Sequence, residues 1–274
     1  MEGMSYEKRI ALGNQVPTLG QFQVIKQIPQ YQTCEVHNLV PAPKNVPETL
    51  KHVVFNIERG VTLHETIDFL KMCPDLKDID IIYANELDDG AERSGNQNVA
   101  IGMNYAYGLE FIELVNPNDE KGFHGNALFS RWPIRWAKAV HLPEQYNWYF
   151  DRQKRIGARV GIVCSLDVGG REVGAVVVHL ENRTDSAGRA AQMDAIYQEI
   201  QRSFAPDVPV MIGGDLNTNT FDGNDIPGFT KLFNDPKRLA EHMAKVENYE
   251  RALPQAEEHG FSYHEFSSTE GTRR

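Results

Sequence analysis

The sequence predicts an α/β or layered α+β fold. Three observations carry that expectation: short apolar runs alternate with helical patterns from Val53 onward, each run ends in polar groups, and the composition is that of an ordinary globular protein. Of 274 residues, 41% are hydrophobic and 24% charged, with 14 prolines, which excludes disordered and fibrous classes. No internal repeat is visible.

Residues 1–52 are polar and punctuated by proline (VPTLGQFQVIKQIPQ, then LVPAPKNVPETL), with room for an edge strand but no long periodic element. They read as an extension onto a main domain at 53–274. Four strands are expected at 53–55 (VVF), 79–83 (IDIIY), 173–178 (VGAVVV) and 208–212 (VPVMI). Each is short, apolar and bounded by polar residues or glycine, as suits a strand buried on both faces. Between the first two, GVTLHETIDFLKMC reads as a helix. A second helix is expected over 187–204, where Met193, Ile196, Tyr197, Ile200 and Phe204 form one apolar stripe. A third, charged helix, PKRLAEHMAKVENYERAL, starts near 236 with proline in its first turn.

Charge and cysteine content narrow the chemistry. Lys plus Arg is 28 against 38 Asp plus Glu, a formal net charge of -10, which disfavours a pervasive nucleic-acid-binding surface. An anionic substrate would need a local patch or a metal. Cys34, Cys73 and Cys164 form no CxxC pair, so neither a zinc site nor a disulfide framework is indicated, and a reducing compartment fits. The first residues lack a signal-peptide core, and the longest apolar stretches fall far below the roughly 20 residues of a membrane span. A cytoplasmic protein without integral membrane association is expected.

The carboxyl end of each strand is the informative place. VVF leads into Asn56-Ile57-Glu58, IDIIY into Ala84-Asn85-Glu86, VGAVVV into His179-Leu180-Glu181, and VPVMI, after two glycines, into Asp215-Leu216-Asn217. Such strand ends are where α/β architectures place ligands. Alternation along a strand turns Asn56 and Glu58 the same way, and likewise Asp215 and Asn217. Few, hard oxygen donors suit magnesium or manganese that keeps several waters. Zinc is disfavoured by the absence of cysteine ligands and of a His pair at helical spacing.

Each residue also has a plainer reading. Asn56 and Glu58 would serve as helix caps, Glu86 as a solvated loop charge, GDLN as a turn, and His179 as a satisfied strand-end histidine. All of these holding together is the less economical account. The other histidines show no ligand spacing, although His124 lies two residues before Asn126. The segment EQYNWYF with Arg152, Lys154, Arg155 and Arg159, joined by Arg131, Arg135 and Lys138, would form either a substrate wall or an ordinary solvated face.

In order, FNIERG, YANELDDGAERSGNQNVA, GFHGNALFSRWPI, VVVHLENR and GGDLNTNT resemble the successive motifs of the endonuclease/exonuclease/phosphatase superfamily. That group of metal-dependent phosphoesterases includes pancreatic-type deoxyribonucleases, abasic-site exonucleases, inositol polyphosphate 5-phosphatases and neutral sphingomyelinases. The similarity spans about residues 53 to 221. It implies a four-layer sandwich, two mixed sheets face to face with helices outside. It also implies a magnesium- or manganese-dependent phosphoester hydrolase.

Residue by residue, the resemblance makes Glu86 the chief metal ligand, with Asn56 near the metal and Glu58 where relatives carry a second acid. His179 matches the histidine that contacts a phosphate oxygen or assists the leaving group. Asp215 matches the aspartate that orients or activates the attacking water, and Asn217 the asparagine that holds the phosphate. Asn126 and Arg131 match a substrate-phosphate loop of the nuclease branch. The substrate stays open between nucleic acid, phospholipid and a small phosphoester.

Relatives close with an aspartate on a late strand and then an Asp-His pair, and no such dipeptide occurs after Asn217 here. The expectation is a chain truncated at its C-terminus, weakly active or inactive alone and prone to aggregate. Robust magnesium-dependent hydrolysis by residues 1–274 would refute it. The competing reading is a non-catalytic binding module that kept the fold and metal pocket.

Overall fold

In the computed structural model, residues 3–89, 102–115, 122–218, 226–245 and 249–264 are described. The motif stretch 90–101, residues 219–220 of NTNT and the final segment 265–274 lie outside them. Two mixed β-sheets stack face to face. The first has the order β1 (Cys34–His37), β4 (Asn104–Glu113), β5 (Phe123–Ser130), β3 (Ile81–Asp89), β2 (His52–Asn56), with β7 (Arg155–Gly157) also pairing with β4. The second has the order β10 (Val210–Asp215), β9 (Arg171–His179), β8 (Val160–Val168), β6 (Ile134–His141). Parallel pairing joins β2 to β3 and β10 to β9; the other pairs are antiparallel.

The core between the sheets results from side-chain alternation. Ile81 and Tyr83 of β3 with Leu128 of β5 meet Ile162, Cys164 and Leu166 of β8 and Ala175 and Val177 of β9. The opposite faces are covered by helices. Leu70 of α4 (Leu63–Met72) packs on the first sheet against a cluster holding Ile82, Ala84, Tyr105 and Phe129. Met193, Ile196, Tyr197 and Ile200 of α5 (Ser186–Ser203) pack against Val163, Val176 and Val178 of the second. Each such aliphatic side chain, fully buried, contributes about 1.5–3 kcal/mol. Helix, sheet, sheet and helix give the four expected layers.

The N-terminal segment is well packed. Helices α1 (Tyr6–Gly13), α2 (Val16–Leu19) and α3 (Gln21–Ile25) place Leu12, Val16, Val24 and Ile25 against Leu109, Ile112, Phe123 and Ile156. The expected edge strand is β1, paired antiparallel with β4.

One expectation needs correction, and two strands went unforeseen. The third helix does not run through as one element. It is α7 (Pro236–Met243), preceded by α6 (Ile226–Phe233), while α8 (Ala252–Glu258) is separate. No residue of α7 is buried, so no packed face extends it past two turns. The strands β4 and β5 are not apparent from periodicity although every residue in both is buried. Glu110, Glu113, His124 and Asn126 interrupt their apolar text.

Candidate active site

The carboxyl ends of β2, β3, β9 and β10 converge at one end of the sandwich. Strand β3 supplies the centre through a bulge: its register against β5 shifts between Ala84 and Leu87, and Glu86 sits at φ 60°. Ile82, Ala84 and Leu87 all belong to the outer-face cluster. The step of three in place of two marks Glu86 as the extra residue. Its neighbour Asn85 keeps the inward parity of Ile81 and Tyr83 and is fully buried.

Asn85 fastens the two sheets together. Its Nδ2 donates to Asn126 Oδ1 at 2.9 Å and to the Val178 carbonyl at 3.1 Å, while its Oδ1 accepts from Asp215 N at 2.8 Å. Asn126, also fully buried, passes the link to the Val160 carbonyl at 3.1 Å. These amides hold fixed positions because a buried polar group left without partners costs about 1–3 kcal/mol.

On this scaffold Asn56 Nδ2 donates to Glu86 Oε1 at 3.1 Å and to Asp215 Oδ2 at 3.0 Å. One amide thus bridges two carboxylates. The orientation is fixed by the other end, where Asn56 Oδ1 accepts from Glu58 N at 3.0 Å. A flipped amide would set oxygen against both acids and N–H against N–H. Glu86 remains 29% exposed. Asn217, at φ 47°, donates its backbone N–H to Asp215 Oδ1 at 2.9 Å and its Nδ2 to the Leu180 carbonyl at 2.9 Å.

Behind the carboxylates lies a buried ionic cluster. His179, 1% exposed, places Nε2 3.9 Å from Glu86 Oε1 and Nδ1 3.2 Å from Glu110 Oε2. A guanidinium nitrogen of Arg159 lies 2.8 Å from Nδ1, 3.0 Å from Nε2 and 3.3 Å from Glu110. Arg159 also reaches Glu181 at 3.4 Å, and Glu181 accepts from Trp148 Nε1 at 2.8 Å. Burial works against the Glu110 charge, but His179 and then Arg159 outweigh it and hold the carboxyl down at about 2. Arg155 and Arg159 both lie over the Phe111 and Trp148 rings, at 4.5–5.9 Å from the centroids. These two arginines are buried, so they belong neither to a solvated face nor to an open wall.

Of the sequence-derived set, Asn56, Glu86, His179, Asp215 and Asn217 come together. Glu58 stands apart: β2 ends at Asn56, and Glu58 sits exposed in a 3₁₀ turn at φ 45°. Strand alternation therefore does not carry past Asn56. Asn126 reaches the site only as buried scaffold. Arg131 lies just past the far end of β5, five residues and about 17 Å of extended chain from Asn126. There it donates to the Asp78 carbonyl at 3.2 Å and lines a cavity of about 310 Å³ with Ile67, Leu70 and Met103. Sequence reasoning missed Asn85 as a sheet fastener and Glu110 altogether. The two acids Glu110 and Glu113 inside the otherwise apolar run YGLEFIEL were the available signal.

The donors fit a hard divalent ion. Two carboxylates joined by one amide, with one acid partly open to solvent, match an ion that takes one or two carboxylates and several waters. Among the described residues, no group of three or more His, Cys, Asp and Glu is placed to hold a metal by itself.

The family model described as Endonuclease/Exonuclease/phosphatase family matches residues 53–239, and the chain belongs to that family. It has the family's phosphoesterase fold. Among solved structures, the human Nocturnin catalytic domain with bound sulfate is 17% identical, covering 76% of this chain and 74% of that one at a TM-score of 0.47. D. rerio TDP2 complexed with single strand DNA product is 17% identical, covering 66% and 65% at 0.43. Sphingomyelinase C from Streptomyces griseocarneus is 17% identical, covering 63% and 65% at 0.43. No curated protein matches the chain. Among the described residues, no helix is long and apolar enough to cross a membrane.

Proposed function

We propose that the protein hydrolyses a phosphoester by water attack, with magnesium or manganese as its cofactor. The observation that carries this reading is the single Asn56 amide bonded to both Glu86 and Asp215, which gathers strand ends from both sheets around two acids. Glu86, the more open acid, would hold the ion. When bound, the ion supplies a positive charge against the oxyanion that develops on the phosphoryl group, worth several kcal/mol. Asp215 accepts the proton of the attacking water, a role worth roughly 10²- to 10⁴-fold. Asn56 keeps the two acids at one site. Asn217, fixed by its bonds to Asp215 and Leu180, offers its remaining amide hydrogen to a phosphate oxygen. Glu110 orients the His179 ring from Nδ1 and directs Nε2 towards Glu86 and the leaving oxygen.

The substrate favoured is a small phosphoester rather than a long polyanion. Arg131 stands at the far end of the sheet, and Arg155 and Arg159 are committed to buried acids and rings. None of these three arginines is thus free to line a track for a polyanion, and a net charge of -10 supplies no general attraction. The test is release of nitrophenol from p-nitrophenyl phosphate and bis(p-nitrophenyl) phosphate by the purified protein. Magnesium-dependent release that EDTA and Glu86→Ala both abolish is expected, and robust release would overturn the sequence-based expectation of weak activity. No turnover of either ester with magnesium or manganese would sink the reading.

A further inference from the structure

We infer that Arg59 is a positioning residue for this site, acting through the turn at Glu58–Gly60 to fix which atom of Asn56 faces the two carboxylates. The inference rests on the phosphoesterase reading above. Three successive residues after the end of β2 have positive φ: Glu58 at 45°, Arg59 at 59° and Gly60 at 69°. Glycine adopts this region freely, but each non-glycine there costs about 1–3 kcal/mol and persists only where its surroundings impose it.

Arg59 supplies the imposing contacts. Its Nε meets Asp88 Oδ2 at 2.7 Å, and a terminal nitrogen lies 3.4 Å from Glu113 Oε1. Both acids are buried, Asp88 5% and Glu113 2% exposed. Asp88 is steadied from its other oxygen by His124 Nδ1 at 2.7 Å. The turn is thereby pinned to β3 and β4.

The consequence reaches the site through one bond. The pinned turn aims Glu58 N–H at Asn56 Oδ1, and that bond leaves Nδ2 as the end facing Glu86 and Asp215. If the turn relaxed, Asn56 Oδ1 would lose its fixed donor, and only the two acids would hold the Nδ2 end in place between them. Lysine cannot replace Arg59, because a single ammonium does not present the planar fork that spans two acids.

The experiment uses the full chain carrying Arg59→Ala or Arg59→Lys, with magnesium chloride and bis(p-nitrophenyl) phosphate. Hydrogen exchange at the Glu58 amide and the Asn56 side-chain amide resonances give a readout independent of turnover. Expected for Arg59→Ala are a kcat lower by about 10- to 100-fold, KM within about twofold of wild type, and Glu58 exchange faster by about tenfold or more. Arg59→Lys should fall between, and it carries the test if Arg59→Ala does not fold. A folded variant with Glu58 protection and Asn56 resonances unchanged would overturn the inference. So would lost protection with unchanged kcat in an active enzyme. If the wild type turns over no phosphoester, the hydrolase reading fails, while the exchange data still decide whether Arg59 sets the Asn56 amide.

Discussion

The two ends of the sandwich use carboxylates in opposite ways. At the far end, buried Asp80 accepts from Lys51 N at 2.9 Å and from Trp132 Nε1 at 3.1 Å, one donor on each oxygen. At the near end, Asp215 likewise accepts one donor on each oxygen, from Asn217 N and the Asn56 amide, but it shares that amide with Glu86, which is 29% exposed. Backbone strain divides the same way: among the described non-glycine residues with positive φ, Glu58, Arg59, Glu86 and Asn217 lie at the near end and Asp78 at the other. The far end ties down a single buried acid, whereas the near end brings two acids onto one amide, on a backbone bent to present them. That asymmetry supports the proposed site at the near end without reference to any relative.

The comparison can be broken most sharply at Asp215. Asp215→Asn should lower turnover by roughly 10²- to 10⁴-fold, with a stability cost of about 1–3 kcal/mol at most because one of its two donors would then face an amide N–H; a stability loss with unchanged turnover would make Asp215 a structural acid like Asp80. At the far end, Asp80→Ala orphans the Trp132 and Lys51 donors and should cost about 1–3 kcal/mol in urea unfolding, with kcat per folded molecule unchanged. Asn85→Ala belongs to both categories, since it unties the sheets and frees Asp215. It should lose a similar 1–3 kcal/mol and also turnover.

Acid titration probes the cluster behind the site. Glu110 is held at about 2 in the folded state against an ordinary value of 4.5, so its contribution is complete above pH ~4.5 and is lost as pH falls towards ~2. Denaturant midpoints should decline across that window, and Glu110→Gln should flatten the decline. The smallest effect is expected at exposed Glu58: Glu58→Ala should stay within about 0.5 kcal/mol in stability and a few-fold in turnover. A larger activity loss would restore it to the metal-binding set.

How much of this was legible depended on what each strand buries. The runs at 53–55, 79–83, 173–178 and 208–212 are nearly pure apolar text, and each overlaps an observed strand, although β2 and β10 are only partly buried rather than buried on both faces. Their polar endings identified Asn56, Glu86, His179, Asp215 and Asn217 as one group. Strands β4 and β5 stayed hidden because they carry the buried ion pairs and amides, so that charge in the text masked burial in the fold. Glu58 was drawn in by extending strand alternation beyond the strand's last residue. Arg131 was drawn in by the resemblance of GNALFSR to a substrate-phosphate loop, although an extended strand carries it and Asn126 to opposite ends. Arg59 had no sequence signal, since its partners Asp88 and Glu113 are remote in the chain.

The hydrogen bond from Asn56 to Asp215 closes a span of 159 residues. Contacts of such separation form slowly, because the closure entropy comes before the reward. On this arrangement the two acids meet only once β10 has docked beside β9, after both sheets exist. A partly folded chain therefore carries no competent site, and recovery of hydrolysis during refolding should trail the recovery of sheet structure.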